Sequence, residues 1–291
     1  MDVGLIGIGL MGRAMASKLL EKGYHLHIHN RTKATAAQLV DTGAIWEDTP
    51  RAVAEKSEVI LSIVKDPQAV RDIALGDYGV LSGMSKESVF AEMSTVSPKW
   101  AEELEGIARE RGLRYIQAPV LGSVPQIHAE KLLVFAGGEL QDVERVEPVW
   151  NAFTAKIWRM EKPSQSAGVK LACNMLVAHM TMGLGQSILF AEKNGVEASV
   201  FLDILANSIL GCGLFSGKGN LIRSRQFPPS FTLENMLKDL NLVQQTAADE
   251  ALPLPLHAQI REFFISAVSQ GYGKEDYSAV FKVLENLTRR S

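Results

Sequence analysis

The stretch Val3–Gly12 reads VGLIGIGLMG and decides the fold of the N-terminal part of the chain. It continues a predicted apolar strand at residues 2–6 and leads into a helical pattern that stops at Gly23. Glycines in the G-x-G-x-x-G spacing allow a tight turn, close approach of a pyrophosphate to the backbone, and close packing of helix on strand. The stretch therefore predicts a dinucleotide site formed by Gly7, Gly9, Leu10, Met11 and Gly12.

Strand-like runs rich in Val and Ile alternate with helical patterns through residue 162. The predicted strands are residues 2–6, 24–29, 58–64, 88–93 and 114–118, and two more at 132–136 and 156–160 flank a predicted helix at 140–153. Such alternation predicts a parallel sheet with helices on both faces. We therefore predict an α/β, Rossmann-type domain over residues 1–162.

The strand rhythm stops at Pro163, and the rest of the chain is predicted to be helical. The segment from 163 to about 194 is apolar nearly all round, which predicts a buried helix. Further helices are predicted at residues 198–209, 232–250, 255–270 and 278–287. The second predicted domain, residues 163–291, is therefore all-α.

Composition excludes several classes of function. The 291 residues include 30 Lys and Arg against 33 Asp and Glu, so the basic surface of a nucleic-acid-binding protein is not expected. Cys173 and Cys212 stand apart, which argues against a disulfide scaffold or a zinc site. No signal peptide and no membrane-spanning run is predicted, and a reducing, cytoplasmic compartment fits.

Three histidines, His25, His27 and His29, alternate along the second predicted strand and share one face. Two imidazoles in a His-x-His spacing can hold a metal ion. A half-exposed polar strand face is favoured instead, since the sequence offers no cysteine or evident carboxylate to complete the ligand set. We therefore predict no metal site.

The end of the second strand, His29-Asn30-Arg31-Thr32, indicates which dinucleotide is bound. An acidic residue there would bind the ribose 2′-hydroxyl of NAD, but this sequence has none. The guanidinium group of Arg31, with Asn30 and Thr32 as further donors, suits a 2′-phosphate. We therefore predict NADP(H) as the cofactor.

Two further segments follow predicted strands and should lie at the ligand-binding edge of the sheet. The first contains Val64 and Lys65, which we expect beside the cofactor. The second contains Ser94 and Thr95, whose hydroxyl groups could reach the nicotinamide ribose or a substrate. They could equally cap the helix that begins near Pro98, and spacing alone does not decide between these roles.

Lys170 and Asn174 are four residues apart in the apolar helix, so their side chains share one face. Burial of a lysine lowers the pKa of its ammonium group toward the range useful for proton transfer. An alternative that the helix pattern favours equally is a structural lysine, whose aliphatic chain packs against the protein while its ammonium group reaches water. Asn174 could likewise form a hydrogen bond to a neighbouring helix instead of binding a substrate.

Five motifs in order along the chain resemble the β-hydroxyacid dehydrogenases, the relatives of 3-hydroxyisobutyrate and 6-phosphogluconate dehydrogenases. They are the glycine stretch, Met93-Ser94-Thr95, Ala118-Pro119-Val120-x-Gly122-Ser123, Gly168-x-Lys170-x-x-x-Asn174 and Lys238-Asp239. Within the family the chain is most similar to NADPH-dependent glyoxylate and succinic semialdehyde reductases, through segments at residues 30–32, 215–219, 228–231 and 276–279.

The resemblance implies roles for particular residues. Lys170 would be the general acid, while Asn174, Gly122 and Ser123 would bind the substrate, the last two partly through backbone N–H groups. Phe231, in the 228–231 segment, is assigned to the substrate site, and Thr95 and Lys238 would contact cofactor or substrate. The resemblance also implies a homodimer or homotetramer.

Three features of the sequence depart from the family pattern. Leu121 stands where the family has a serine donor to the substrate, Glu130-Lys131 replaces a segment that begins with glycine, and Lys18 replaces an asparagine. Leu121 bears on which substrate is used.

The prediction is an NADPH-dependent reductase of a small aldehyde or keto acid, of the glyoxylate or succinic semialdehyde kind. The alternatives are a 3-hydroxyacid dehydrogenase or an imine reductase of the same superfamily, or a non-catalytic NADP-binding regulatory module. Imine reductases usually replace the lysine, so Lys170 argues against that alternative, while Leu121 leaves it open.

Overall fold

A nine-stranded sheet organises the N-terminal part of the protein. In the computed structural model, which describes residues 1–288, its strands are β1 (Asp2–Ile6), β2 (His25–His29), β3 (Ile45–Trp46), β4 (Val59–Ser62), β5 (Val89–Glu92), β6 (Arg114–Gln117), β7 (Val120–Leu121), β8 (Leu132–Gly137) and β9 (Thr154–Met160). The strand order is β3-β2-β1-β4-β5-β6-β8-β7, and β9 also pairs with β8.

The first six strands are parallel, as the alternation of strands and helices predicts, but the sheet as a whole is mixed. Strand β8 runs antiparallel to β6 and to β7, and β9 is parallel to β8. A wholly parallel sheet was therefore the wrong expectation for residues 114–160. The cause is local: β7 and β8 are joined only by residues 122–131, a connection too short for a parallel crossover.

Helices cover both faces of this sheet. They are α1 (Leu10–Glu21), α2 (Ala37–Asp41), α3 (Pro50–Glu55), α4 (Pro67–Leu75), α5 (Val80–Gly83), α6 (Pro98–Glu110), α7 (Val124–His128) and α8 (Leu140–Trp150). Alternate residues of β1 point to opposite faces, so Leu5 packs with α1, α7 and α8, whereas Ile6 packs with α3 to α6. The Rossmann-type fold predicted for this part of the chain is confirmed.

The chain divides into two units, Met1–Lys170 and Leu171–Ser291, with the division inside a long helix. That helix is α9 (Pro163–Lys193), and it is followed by α10 (Ala198–Ala206), α11 (Gly213–Ser224), α12 (Leu233–Asp249), α13 (Pro255–Ala267) and α14 (Phe281–Thr288). A π-helical turn at Val268–Tyr272 and a 3-10 turn at Tyr277–Val280 complete the second unit, which is helical as predicted.

The core of the second unit is formed mainly by three helices and the C-terminal segment. Ile188 of α9, Met236 of α12 and Phe264 of α13 are buried together with Phe281. The composition of α9 predicts a helix that is buried on all sides. That prediction is wrong, because Leu176 and Phe190 are 57% and 74% exposed.

Candidate functional site

The glycine turn after β1 has the form that the sequence predicts. Gly7 has φ of +98°, a left-handed conformation that favours glycine, and a Cβ atom there would clash with the carbonyl oxygen of Ile63. A Cβ atom on Gly12 would clash with the carbonyl oxygen of Gly7, so helix and turn touch at this point. Nothing lies within 4 Å of a Cβ placed on Gly9, and α1 has no side-chain cap. Gly9 therefore leaves open space at a helix N-terminus, where a phosphate group fits.

Leu10 and Met11 form the start of α1 in this turn. The side chain of Leu10 is 62% exposed, whereas Met11 is partly buried against the core. Their position in the first turn of the helix fits contact with a phosphate through backbone N–H groups.

At the end of β2, Asn30 supports the glycine turn. Its Oδ1 accepts a hydrogen bond from Ile8 N–H at 3.1 Å, and its Nδ2 donates to Thr35 Oγ1 at 2.7 Å. The side chain of Asn30 is thus engaged within the protein, while Arg31 and Thr32 next to it are exposed. Of the three predicted 2′-phosphate ligands, Arg31 and Thr32 have side chains directed to solvent.

The segments after β4 and β5 are joined by a partly buried hydrogen bond. Ser94 Oγ accepts from Val64 N–H at 2.8 Å, and Thr95 beside it is partly buried, whereas Lys65 is exposed. The cap of α6 is Ser97, whose Oγ accepts from Trp100 N–H at 3.2 Å. Of the two roles left open for Ser94, capping α6 is therefore the wrong one.

A buried acid lies directly before this segment. It was not among the site residues predicted from the sequence. Glu92 is completely buried and accepts hydrogen bonds from Ser94 N–H at 2.8 Å and from Gln117 Nε2 at 3.0 Å. Burial raises the pKa of Glu92, and hydrogen bonds from Ser94, Gln117 and Ser62 only partly oppose this. The signal in the sequence was a charged residue at the end of an otherwise apolar strand.

The turn between β7 and α7 contains the residues expected to bind a substrate carboxylate. Gly122 has φ of +133°, and Leu121 is partly buried. Both donors of Ser123 are used within the turn: its N–H and its hydroxyl donate to Gln126 Oε1 at 3.0 and 2.8 Å. This arrangement is a capping box, and it leaves Ser123 less able to bind a carboxylate.

Two of the departures from the family pattern contact each other. Glu130 has φ of +55°, a conformation that favours glycine. Its Oε1 lies 3.3 Å from Lys18 Nζ and 3.0 Å from Lys22 Nζ. The lysine in α1 and the glutamate after α7 are therefore partners in one ion-pair cluster.

In the helical unit, Asn174 and Lys238 meet at one buried acid. Asn174 Nδ2 donates to Asp239 Oδ2 at 2.6 Å, and Lys238 Nζ lies 2.7 Å from Asp239 Oδ1. Asp239 is completely buried and Asn174 is 4% exposed. Asn174 thus forms the hydrogen bond between helices that was one of its two interpretations. Lys170, one turn earlier on α9, is partly buried.

Phe231 lies beside a second buried acid of the same unit. The ring of Phe231 packs edge-on to Tyr277 at 6.2 Å between centroids, and Asp276 adjoins Tyr277. Lys218 Nζ lies 2.8 Å from Asp276 Oδ2, and Ser230 Oγ donates to the same oxygen at 2.9 Å. This cluster fixes the segment that presents Phe231.

Histidines do not assemble a metal site in the described part of the chain. Residues 1–288 contain no group of three or more His, Cys, Asp or Glu placed to hold a metal ion. A carboxylate does lie beside His27, contrary to expectation, since His27 Nδ1 and Glu47 Oε1 are 2.9 Å apart. His27 is 8% exposed, His29 is partly buried and His25 is exposed, so the face shared by the three histidines is half-exposed, as predicted.

No helix within residues 1–288 combines the length and apolar character needed to cross a bilayer.

Comparisons with known proteins cover almost the whole chain. The family model for the NAD binding domain of 6-phosphogluconate dehydrogenase matches residues 2–161. The model for the NAD-binding segment of NADP-dependent 3-hydroxyisobutyrate dehydrogenase matches residues 165–284.

Individual relatives agree with these two models. A probable 3-hydroxyisobutyrate dehydrogenase-like protein 1, mitochondrial, of Arabidopsis thaliana is 32% identical over 99% of this chain and 86% of its own. Glyoxylate/succinic semialdehyde reductase 1 of the same plant is 28% identical over 98% of this chain and 99% of its own. The crystal structure of a 3-hydroxyisobutyrate dehydrogenase from Salmonella typhimurium has a TM-score of 0.88 at 26% identity, covering 97% of this chain and 99% of that one.

Proposed function

Because the chain belongs to the 3-hydroxyisobutyrate dehydrogenase family of NAD(P)-dependent oxidoreductases acting on CH–OH groups, we propose that it is an NADPH-dependent reductase. Its substrate is a small aldehyde or keto acid, of the glyoxylate or succinic semialdehyde kind, and its product is the hydroxy acid. The reverse oxidation belongs to the same proposal.

The observation that carries this proposal is the pair Lys170 and Asn174 on α9. Asn174 is fixed by its hydrogen bond to the buried Asp239, so its amide has a defined orientation on the helix face that it shares with Lys170. A lysine with a fixed polar neighbour on one helix face supports carbonyl chemistry better than a binding function alone.

Lys170 is the proposed general acid. When bound, NADPH supplies a hydride to the carbonyl carbon. Negative charge then grows on the carbonyl oxygen, and the Lys170 ammonium group stabilises it and transfers a proton from Nζ to that oxygen. Proton transfer of this kind contributes about 10²- to 10⁴-fold to the rate.

The cofactor is assigned from the residues at the edge of the sheet. Open space at Gly9 and the uncapped start of α1 fit a pyrophosphate. Arg31 and Thr32, exposed at the end of β2, fit the 2′-phosphate that distinguishes NADPH from NADH. Val64, Lys65, Thr95 and Lys238 are assigned to the same cofactor, as the sequence predicts.

The turn at Leu121–Ser123 supports a preference within this substrate class. Leucine offers no hydrogen bond at position 121, and both donors of Ser123 are held by Gln126. We assign Leu121, Gly122, Ser123, Asn174 and Phe231 to the substrate site, with weaker use of carboxylates than a serine at 121 would give. Bulkier or more apolar carbonyl compounds should be preferred over glyoxylate.

The assembly and compartment follow the same line of argument. The exposed Leu176 and Phe190 on α9 support a homodimer or homotetramer, since large apolar side chains on a helix face favour a partner. The composition supports a cytoplasmic compartment, as the sequence predicts.

The test is a steady-state assay of the purified protein with NADPH and with NADH. Glyoxylate, succinic semialdehyde and uncharged aldehydes of matched length are compared, together with 3-hydroxyisobutyrate and NADP⁺ in the reverse direction. We expect turnover of carbonyl substrates with NADPH. Cofactor binding without turnover in either direction would favour the non-catalytic alternative, and turnover of imines alone would favour an imine reductase.

A further inference from the structure

Glu92 is unusual among the buried groups of the N-terminal unit because its carboxyl group is surrounded by donors from three different strand ends. Ser94 N–H and Ser62 Oγ donate to its Oε1 at 2.8 and 3.3 Å, and Gln117 Nε2 donates to its Oε2 at 3.0 Å. Burying a carboxyl group costs free energy that an apolar residue of similar size would not. The presence of a buried carboxyl group at position 92 therefore indicates a role beyond packing.

Gln117 has its orientation fixed by other contacts. Its Nε2 also donates to the backbone oxygens of Glu92 and Ser94, at 3.2 and 3.1 Å, while its Oε1 accepts from Tyr115 at 2.6 Å. The amide cannot be reversed without losing these bonds. The donors around position 92 consequently need two acceptor oxygens on its side chain, which glutamate supplies and glutamine does not.

The contacts of Glu92 lead directly to the loops at the proposed cofactor site. Ser94, held by Glu92 through its N–H, uses its hydroxyl oxygen to accept from Val64 N–H at 2.8 Å. The backbone of Ile63, next to Val64, lies against Gly7 so closely that a Cβ atom on Gly7 would clash with it. One chain of contacts thus joins the acid to the loop after β5, the loop after β4 and the glycine turn.

We propose that Glu92 is a positioning residue for the dinucleotide: through Ser94 it fixes the loops after β4 and β5 in the conformation that binds the cofactor. The inference rests on the proposed function, and it adds a residue that touches neither cofactor nor substrate. Ordered loops bind a ligand more tightly because they lose less conformational freedom on binding.

The experiment compares Glu92→Gln with Asp142→Asn in the full-length protein. Asp142 is also a buried acid, and it contacts Arg114 at the opposite end of β6, at 2.9 Å. Glutamine at 92 must turn its amide N–H₂ toward either Ser94 N–H or Gln117 Nε2, so one donor faces another. We expect about a tenfold rise in the Kd of NADPH for Glu92→Gln, measured by calorimetry well below the unfolding temperature, and no change for Asp142→Asn.

Two further variants separate positioning from general stability. Ser94→Ala removes only the hydroxyl that accepts from Val64, so it should also weaken NADPH binding, and the double variant should bind no more weakly than Glu92→Gln alone. If Glu92→Gln does not fold, Ser94→Ala decides the question. A lowered unfolding temperature with an unchanged Kd in these variants would overturn the inference. A wild-type protein that binds neither NADPH nor NADH would overturn the proposed function and this inference with it.

Discussion

In the N-terminal unit the buried acid Glu92 accepts hydrogen bonds from a backbone N–H, a hydroxyl and an amide, whereas in the helical unit the buried acid Asp276 lies against the ammonium group of Lys218. Burial raises the pKa of Glu92 more than its donors lower it. Burial also acts to raise the pKa of Asp276, but Lys218 and Ser278 outweigh it, and the net pKa is lowered.

The difference shows two ways of holding a buried acid. At the edge of the sheet, Glu92 is held by neutral donors from the ends of three strands. In the helical unit, Asp276 is held by the charge of Lys218, 58 residues away in the sequence. The two acids should therefore respond differently to substitution and to pH, and five experiments probe these acids and the proposed sites around them.

The largest expected effect separates chemistry from cofactor binding. Lys170→Ala should lower kcat about 10²- to 10⁴-fold, because the proposed proton donor is lost, while the Kd of NADPH stays unchanged, because Lys170 is not among the residues assigned to the cofactor. Lys170→Arg should fail similarly, since guanidinium keeps its proton at working pH. Steady-state kinetics and NADPH titration measure the two quantities. Normal turnover by Lys170→Ala would remove the basis of the proposed mechanism.

The second effect concerns stability in the helical unit. Lys218→Met should lower the free energy of unfolding by about 3 kcal/mol, because it leaves the completely buried Asp276 without its cation. Urea unfolding measures this, and the double variant Lys218→Met/Asp276→Asn should regain part of the loss. If the single variant is as stable as the wild type, Asp276 does not depend on Lys218 and the contrast between the units fails.

The third effect is on cofactor choice. Arg31→Ala should weaken NADPH binding about ten- to a hundredfold and leave NADH binding unchanged, since a charge-assisted contact contributes about 1.5–3 kcal/mol. Calorimetric titration with both dinucleotides provides the measurement, and Lys65→Ala serves as a comparison at the end of β4. Equal affinity of the unmutated protein for the two dinucleotides would contradict this role for Arg31.

The fourth effect is on substrate choice. Leu121→Ser should lower KM for glyoxylate or succinic semialdehyde up to about tenfold, because a hydroxyl donor to a carboxylate contributes roughly 1.5 kcal/mol or more. The KM of an uncharged aldehyde of the same length is the control and should not fall. No gain with either acid, when the unmutated protein already reduces both efficiently, would mean that Leu121 does not face the substrate.

The smallest effects are on the pH dependence of stability, and they have opposite signs. The pKa of Asp276 is lowered in the folded state, so its contribution is present above its ordinary pKa of 3.8 and is lost as pH falls through the folded pKa. The pKa of Glu92 is raised, so its contribution is present below its ordinary pKa of 4.5 and is lost as pH rises through the folded pKa.

Each group accounts for at most one proton, or about 1.4 kcal/mol per pH unit. Urea midpoints should be measured from below pH 3.8 to well above pH 4.5. Compared with the wild type, the midpoint should depend less on pH at the acid end in Asp276→Asn, and less on pH above 4.5 in Glu92→Gln. The same change in both variants would show that the two acids are not held differently.

Much of the N-terminal unit follows from local sequence. The predicted strand at residues 2–6 is β1, and Gly7 and Gly12 have the turn and packing roles that their spacing indicates, while contact of Gly9 with a pyrophosphate stays a prediction. The two-residue strands β3 and β7 were missed because so short a run has no measurable period. Helix α11 was missed because Gly213, Gly217 and Gly219 lower helix propensity, and packing compensates for this.

The contacts that complete the candidate site depend on distant residues. Asn174 and Asp239 are 65 positions apart, and Gln117 reaches Glu92 across 25. Hydrophobic periodicity determines which face of an element is buried, but it does not specify which polar groups meet there. For this reason the sequence identified the adjacent residues Lys238-Asp239 as a motif but did not indicate that Asn174 donates a hydrogen bond to Asp239.

The ion-pair cluster of Lys18, Lys22 and Glu130 bears on the order in which substitutions can accumulate. A glutamate in a left-handed conformation costs roughly 1 kcal/mol relative to glycine, and the two lysines act against that cost. A lineage that acquired the glutamate before the lysine at position 18 would carry the cost with less compensation. Positions 18 and 130 should therefore covary among relatives, with a non-glycine residue at 130 accompanied by a basic residue at 18.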